Sequence, residues 1–84
     1  MAGTFERVRG VIADEVGVAH DQMTMETHLG RDFNVDSLTF VQIAMALEEE
    51  FGVTFDDDDL ESLGDVADIV AYVDTRLGAA AEAA

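Results

Sequence analysis

Apolar residues recur at helical spacing near the start of this chain. The first series has an apolar side chain every three or four positions, at Phe5, Val8, Ile12 and Val16. Thr4 precedes this series as a candidate N-cap, and Gly17 follows it, where a glycine can adopt the left-handed conformation that ends many helices. We therefore predict a first helix over about residues 4–16.

A second apolar series begins after Ser37 and ends before Gly52. In a helix over residues 37–51, the core-facing stripe would consist of Phe40, Ile43, Ala44, Leu47 and Phe51. The residues on a largely opposite side are Leu38, Val41 and Met45. Since one stripe is sufficient to seat a surface helix, the second apolar side either packs beneath a loop or binds a partner.

The last third of the chain predicts a short helix and a long one. The acidic run 56–59 suits the N-terminus of a short helix ending near Leu63, and Asp65 is a candidate N-cap for the long one. The buried stripe of the long helix would be Val66, Ile69, Val70, Val73 and Leu77. The prediction is a single all-α domain over residues 1–84, ordered over about 4–77 with a frayed tail at 78–84. Its fold is a four-helix bundle with three main helices and one short helix.

Between the first two long helices, residues 18–36 show no apolar period. Isolated apolar residues, Met23, Leu29 and Phe33, would hold this connection to the core. A long structureless loop inside a compact domain is more often functional than incidental. The last residue of this loop is Asp36, and Ser37 follows it at the predicted helix start, where Asp or Ser also serves as an ordinary N-cap.

Composition narrows the classes of function. The chain has 84 residues, 19 acidic side chains against four arginines, no lysine, no cysteine and a net charge of -15. This charge repels nucleic acid and anionic lipid and attracts proteins with basic patches. No stretch resembles a membrane span or a signal peptide, so we expect a cytoplasmic monomer. Without cysteine, any thiol that the protein uses must be added to it.

The residues around Ser37 resemble a known family. Val35-Asp36-Ser37-Leu38, followed by Met45-Ala46-Leu47-Glu48-Glu49-Glu50-Phe51, resembles the acyl carrier proteins of fatty-acid and polyketide synthesis, and the similarity runs from about Phe5 to Leu77. The resemblance implies that Ser37 takes 4'-phosphopantetheine from coenzyme A through a separate Mg²⁺-dependent phosphopantetheinyl transferase. The thiol of this arm would hold acyl groups as thioesters, and the protein itself would catalyse nothing. Asp36 could help to hold a divalent cation during the transfer, and acyl cargo could fold back where Ala44 and Ala46 leave space.

The resemblance also implies a docking face on the second helix. The positions that match it are Leu38, Val41, Gln42, Met45, Glu48 and Glu49. Its partners would be the transferase, an acyl-loading ligase or synthase, and later acyl-transferring enzymes with basic patches. Several positions depart from the pattern of housekeeping fatty-acid carriers: Thr39 and Gln42 replace acids, Asn34 a glycine and Asp56 a proline, and Phe40 adds bulk. These departures favour a dedicated carrier for a specialised lipid, polyketide or lipopeptide pathway, and the initial Met1 favours a standalone protein.

Other interpretations remain open at this point. A peptidyl or aminoacyl carrier would share the arm, whereas an unmodified acidic adaptor would use only the second apolar side. Acids between Asp57 and Asp68 partly fit a calcium loop, but Ser62 replaces the turn glycine. His20 and His28 lack metal-ligand spacing, and no nucleophile elbow surrounds Ser37, so neither a metal site nor a hydrolase is predicted.

Overall fold

The computed structural model describes residues 3–83, with side chains described for residues 3–78. Within them the chain forms five α-helices, one 3₁₀ turn and no strand. The helices are α1 (Thr4–Val16), α2 (Leu29–Phe33), α3 (Ser37–Phe51), α4 (Asp57–Leu60) and α5 (Val66–Ala83), and the 3₁₀ turn is His20–Gln22. The predicted all-α class is confirmed, and the first two long helices have the predicted bounds.

The core lies between the three long helices. The long helices contribute to it the buried side chains Val8 and Ile12 of α1, Ile43 and Leu47 of α3, and Val66, Ile69 and Val73 of α5. Each belongs to an apolar series that the sequence places on one helix face. Burying a large aliphatic side chain contributes about 1.5 to 3 kcal/mol, so these stripes are the main source of stability.

The start of α1 differs from the prediction. Gly3, not Thr4, is the N-cap, because the Gly3 carbonyl accepts the Arg7 N–H at 3.2 Å. Thr4 is the first helical residue, and its hydroxyl donates to Asp74 Oδ1 at 2.7 Å, which ties α1 to α5. The predicted stop is confirmed: Gly17 has φ 84°.

The connection between α1 and α3 is more ordered than its sequence indicates. It contains the 3₁₀ turn and α2, which are too short to show an apolar period. Met23 and Leu29 are buried and Phe33 is half-buried, as predicted for its anchors. The carbonyls of Thr27 and Met25 accept the N–H groups of Val66 and Ala67, each at 2.9 Å. These bonds satisfy backbone donors that the start of α5 would otherwise leave unpaired.

The last two helices match the prediction in type but not in length. The short helix ends at Leu60, earlier than the expected end near Leu63. Asp65 caps α5 as predicted, since its Oδ1 accepts the Asp68 N–H at 3.0 Å. The helix continues to Ala83. The backbone is therefore helical through most of the tail expected to fray; residue 84 lies outside the described residues, and fraying stays a prediction.

Acids at the end of α3 make tertiary contacts. Glu48 Oε2 accepts the Phe55 N–H at 2.9 Å, which holds the chain that leaves the helix. Glu50 pairs with Arg7 of α1 at 3.0 Å, and the same guanidinium lies 4.3 Å from the Phe51 ring centroid. A carboxylate near a helix C-terminus opposes the helix dipole. These contacts offset that cost and join α3 to its neighbours.

Candidate functional site

Ser37 is the first residue of α3, and its side chain is exposed. The N-cap is the preceding residue: Asp36 Oδ1 accepts the Thr39 N–H at 2.8 Å, and the Asp36 carbonyl accepts the Phe40 N–H at 2.9 Å. Since Asp36 performs the capping, the helix start does not require the hydroxyl of Ser37. That hydroxyl therefore lies at the end of a 15-residue helix, beside backbone donors and the positive end of the helix dipole.

The carboxylate of Asp36 keeps its negative charge well into acid. The hydrogen bond from the Thr39 N–H lowers the pKa of Asp36 below its usual value, because it stabilises the charged form. The residue before Ser37 thus carries a negative charge throughout the neutral range.

The segment that leads to Ser37 is held by a left-handed residue. Asn34, which follows the end of α2, has φ 56° and ψ 38°, and its N–H donates to the carbonyl of Leu29, the first residue of that helix. The Val35 N–H donates to the same carbonyl at 3.2 Å. Asparagine tolerates this conformation better than most residues, so a residue other than glycine can stand at this turn. The turn directs the chain from α2 into α3.

An open cleft of about 630 Å³ lies beside Ser37. Its apolar wall is formed by Leu29, Val35, Phe40, Leu60 and Leu63, and its polar rim by His28, Asp36, Asp57 and Glu61. His28 was not among the residues that the sequence placed at the site. Its position before a short helix is the only sequence signal that could have indicated a role here. The cleft gives a partly polar, partly apolar chain a surface to lie on.

Behind this cleft is a small apolar void of about 10 Å³ in the core. Phe40, Leu60 and Leu63 border both spaces, and Ala44 borders the void. Ala46, expected to leave room on or beside the core face, instead borders a separate groove between α3 and α1. Only one of the two alanines therefore faces the space behind Ser37.

The second apolar side of α3 is open to solvent. Leu38 is 69% exposed, Val41 49% and Met45 60%, so they do not pack beneath the loop. We call these three residues the exposed strip. Gln42 and Glu49 are exposed next to it, whereas Glu48 is half-buried and bonded to the Phe55 N–H. The docking residues that the sequence predicts thus share α3, but one of the two acids is already engaged within the fold.

Three of the acids that partly matched a calcium loop have other partners. Asp65 caps α5, Asp68 Oδ2 accepts the Gly64 N–H at 3.3 Å, and Asp59 accepts from Tyr72. Among residues 3–83 no three His, Asp or Glu side chains are grouped so that they could hold a metal ion. Within the same residues, every helix is too short or too polar to cross a bilayer.

This geometry defines a small helical carrier domain, and comparison with known proteins agrees. The sequence matches the family described as "Phosphopantetheine attachment site" over residues 6–73. It is 43% identical over 74 residues to a protein of Thermotoga maritima named "Acyl carrier protein", covering 88% of this chain and 91% of that relative. The chain belongs to the acyl carrier proteins, which bear covalent 4'-phosphopantetheine and are carriers rather than enzymes.

Proposed function

We propose that Ser37 bears the phosphopantetheine arm, and that this chain shuttles acyl thioesters among the enzymes of a specialised lipid, polyketide or lipopeptide pathway in the cytoplasm. The observation that carries the assignment is that capping and exposure belong to two different residues at the start of α3. Asp36 Oδ1 caps the helix by accepting the Thr39 N–H at 2.8 Å, and the neighbouring Ser37 side chain is exposed. A nucleophilic oxygen in this position is accessible to a modifying enzyme.

The residues around Ser37 suit a phosphate ester. Backbone N–H groups in the first turn of a helix and the positive end of its dipole both favour an anion. Asp36, whose pKa is lowered by the Thr39 N–H, supplies a charged oxygen that can help to hold Mg²⁺ while the transferase acts. The adjoining cleft offers the arm both apolar wall and polar rim. When bound, the arm supplies the thiol that this cysteine-free chain lacks.

The exposed strip is the proposed docking surface for the transferase, the loading ligase or synthase, and later acyl-transferring enzymes. Apolar side chains at its centre would be desolvated by a partner, and the acids beside it would steer basic patches. Glu48 already accepts the Phe55 N–H within the fold. We therefore expect Glu49 to attract basic partners more than Glu48 does. Thr39 and Gln42 leave the first turns of α3 less negative than the same turns of housekeeping carriers. This difference supports partners other than those of housekeeping carriers.

The attachment test uses both serines of the chain. The protein is incubated with coenzyme A, Mg²⁺ and a broad-specificity phosphopantetheinyl transferase and weighed intact. We expect one phosphopantetheine mass on the native chain and on Ser62→Ala, and none on Ser37→Ala. Ser62 is a matched control because it is the other serine and its hydroxyl donates to the Asp59 carbonyl. Modification that persists in Ser37→Ala would contradict the assignment, and no modification at all would favour the unmodified adaptor.

The docking test compares two exposed methionines. Met45→Ala removes part of the exposed strip, whereas Met25→Ala removes a 39% exposed methionine outside it. We expect the first to raise the transferase KM about tenfold, because partly desolvated contacts of this size contribute about 1 to 2 kcal/mol. The second should leave KM unchanged. Equal effects of the two would contradict a specific role for the strip.

Cargo is tested by loading. The modified protein is offered to adenylating enzymes with a panel of fatty and amino acids, and intact mass reports the thioester formed. Fatty acyl or polyketide starter groups are the expected cargo. Preferential loading of amino acids would establish the peptidyl carrier instead.

A further inference from the structure

His28 is the N-cap of α2, which is unusual for a histidine. Its imidazole Nδ1 accepts the Arg31 N–H at 3.1 Å, and its own backbone N–H donates to Asp32 Oδ2 at 2.9 Å. The helix has only five residues. A helix this short has little cooperative stability of its own and depends on its caps.

The cap requires the neutral imidazole. Neutral imidazole has one acceptor nitrogen, whereas imidazolium has two N–H donors and no acceptor. Since Nδ1 faces the Arg31 N–H, protonation would bring two donors together and remove the hydrogen bond. Serine, threonine, asparagine and aspartate are the usual N-caps, and none loses its acceptor near neutral pH. Histidine is the side chain whose charge ordinarily changes between about pH 5 and 8.

The same ring joins three parts of the site. A Cβ placed on Gly64 would lie 3.1 Å from His28 Nε2, so the ring packs closely on that glycine. The backbone of His28 forms an isolated bridge with Asp65, and the Leu29 N–H donates to the Gly64 carbonyl at 3.4 Å. The ring also borders the cleft beside Ser37. Its position thus couples α2, the start of α5 and the cleft.

Charged side chains from several elements surround the ring. The charged groups that face it from the packed elements are Arg31 and Asp32 of α2, Asp36 at the start of α3, Asp57 and Glu61 of the α4 region, and Asp65 and Asp68 at the start of α5. The hydrogen bond from the Arg31 N–H needs an acceptor at Nδ1, so the neutral and the protonated ring differ in what they offer to α2.

We propose that His28 is a pH-sensitive positioning residue: when neutral it holds α2 and the cleft beside Ser37, and when protonated it releases them. The released Leu29 carbonyl no longer holds the turn at Asn34 and Val35 that leads to Ser37. A partner that must contact both this turn and α3 then binds to a less ordered surface. The consequence for modification rests on the proposed function of Ser37, whereas the switch itself does not.

The switch is tested by NMR on the full chain. Amide shifts and hydrogen exchange are followed from pH 8 to 5.5 in the native protein, His28→Ser, His28→Asn and His20→Gln. His20 is the other histidine, pairs with Asp14 at 3.1 Å and lies outside the cleft. We expect the Arg31 amide to follow the imidazole titration of His28 in the native chain and in His20→Gln. Exchange at Asp32 and Phe33, corrected for intrinsic rates, should rise about fivefold, the effect of losing one ordinary N-cap.

Neither His28 variant should show this transition, because both carry a cap that does not titrate. A pH-independent Arg31 amide in the native chain, or the same transition in both variants, would overturn the proposal. Using two variants guards against a fold defect in one of them.

A competition assay tests the consequence for Ser37. Native chain and His28→Ser share one tube with the transferase, and mass separates their products, so the pH dependence of the enzyme cancels. We expect the rate of the native chain relative to that of His28→Ser to fall up to about fivefold between pH 8 and pH 6, in proportion to the lost cap. A ratio independent of pH would overturn the effect on modification. If neither chain gains mass at any pH, the assignment of Ser37 fails, while the NMR titration still decides the switch.

Discussion

The hydroxyl of Tyr72 donates a 2.9 Å hydrogen bond to the carboxylate of Asp59. The same oxygen accepts the Asp56 N–H at 3.1 Å, and the ring lies 5.1 Å from that of Phe55. The acidic run that the sequence assigns to the N-terminus of a short helix is therefore bound to α5 at two points. This contact holds α4 against the wall of the cleft beside Ser37.

Replacing Tyr72 with phenylalanine should lower the free energy of unfolding by about 1 kcal/mol, since the Asp56 N–H loses its acceptor while the ring packing remains. Urea unfolding of the two proteins measures this difference. Thr75→Val is a suitable control, because the Thr75 hydroxyl bonds only to the Ala71 carbonyl within its own helix. Equal midpoints for Tyr72→Phe and the native chain would contradict a stabilising role.

Tyr72 should ionise at a higher pH in the folded protein than in the unfolded one. Burial, followed by the bond to Asp59, raises the pKa of Tyr72 above its usual value of 10.0. Because the folded pKa is the higher one, this stability is fully present below the unfolded pKa and is lost as pH rises through the folded pKa. The chain has one tyrosine and no tryptophan, so tyrosinate absorbance reports it directly. Identical titrations with and without urea would contradict the prediction.

Asp36 should stabilise α3 only while it is charged. The Thr39 N–H lowers the pKa of Asp36 in the folded protein. The contribution of Asp36 to the free energy of unfolding is therefore present above the unfolded pKa of about 3.9, and it is lost as pH falls through the lower folded pKa. Asp36→Ala should lower the melting temperature at pH 7. Asp36→Asn should lower it less, because asparagine also caps helices. The difference between native chain and Asp36→Asn should shrink in acid. Thermal unfolding from pH 7 to 3 checks both expectations.

The turn at Asn34 should distinguish alanine from glycine. Its φ of 56° is costly for a residue with a Cβ and an apolar side chain, so Asn34→Ala should lose about 1 kcal/mol of stability. Asn34→Gly should stay near the native value, since glycine adopts this conformation without strain. Chemical unfolding of both variants measures the contrast. Equal losses would mean that the asparagine side chain, rather than its backbone conformation, matters here.

Screening ions should raise the melting temperature. The net charge is -15, and three of the four arginines already pair with acids: Arg7 with Glu50, Arg31 with Asp32, and Arg76 with Asp56. The remaining carboxylates repel one another over a small surface, and salt shortens the range of that repulsion to about 8 Å at physiological ionic strength. Asp58→Asn, at an exposed position of the acidic run, should raise the melting temperature at low salt and less at high salt. A flat or falling melting temperature with added NaCl or MgCl₂ would contradict this account.

Local chemistry was sufficient for the bounds of α1 and α3. Helical periodicity and a terminal glycine predicted them, and two apolar sides could be counted on α3. These features depend on residues within a few positions of one another, so they can be read from the sequence alone. The same is true of Asn34, whose side chain tolerates the left-handed turn that precedes Ser37.

Only the tertiary structure decided the features that need a partner from elsewhere in the chain. Thr4 bonds to Asp74, Glu48 to the Phe55 N–H, and Tyr72 to the acidic run, each across a distance in sequence that no periodicity encodes. α2 was missed because five residues are too few to show a helical period. Sequence therefore determined which helix begins at Ser37 and that this helix has a second apolar side. The tertiary structure decided that this side stays exposed and which distant residues hold the helix in place, because both depend on packing between segments that lie far apart in the chain.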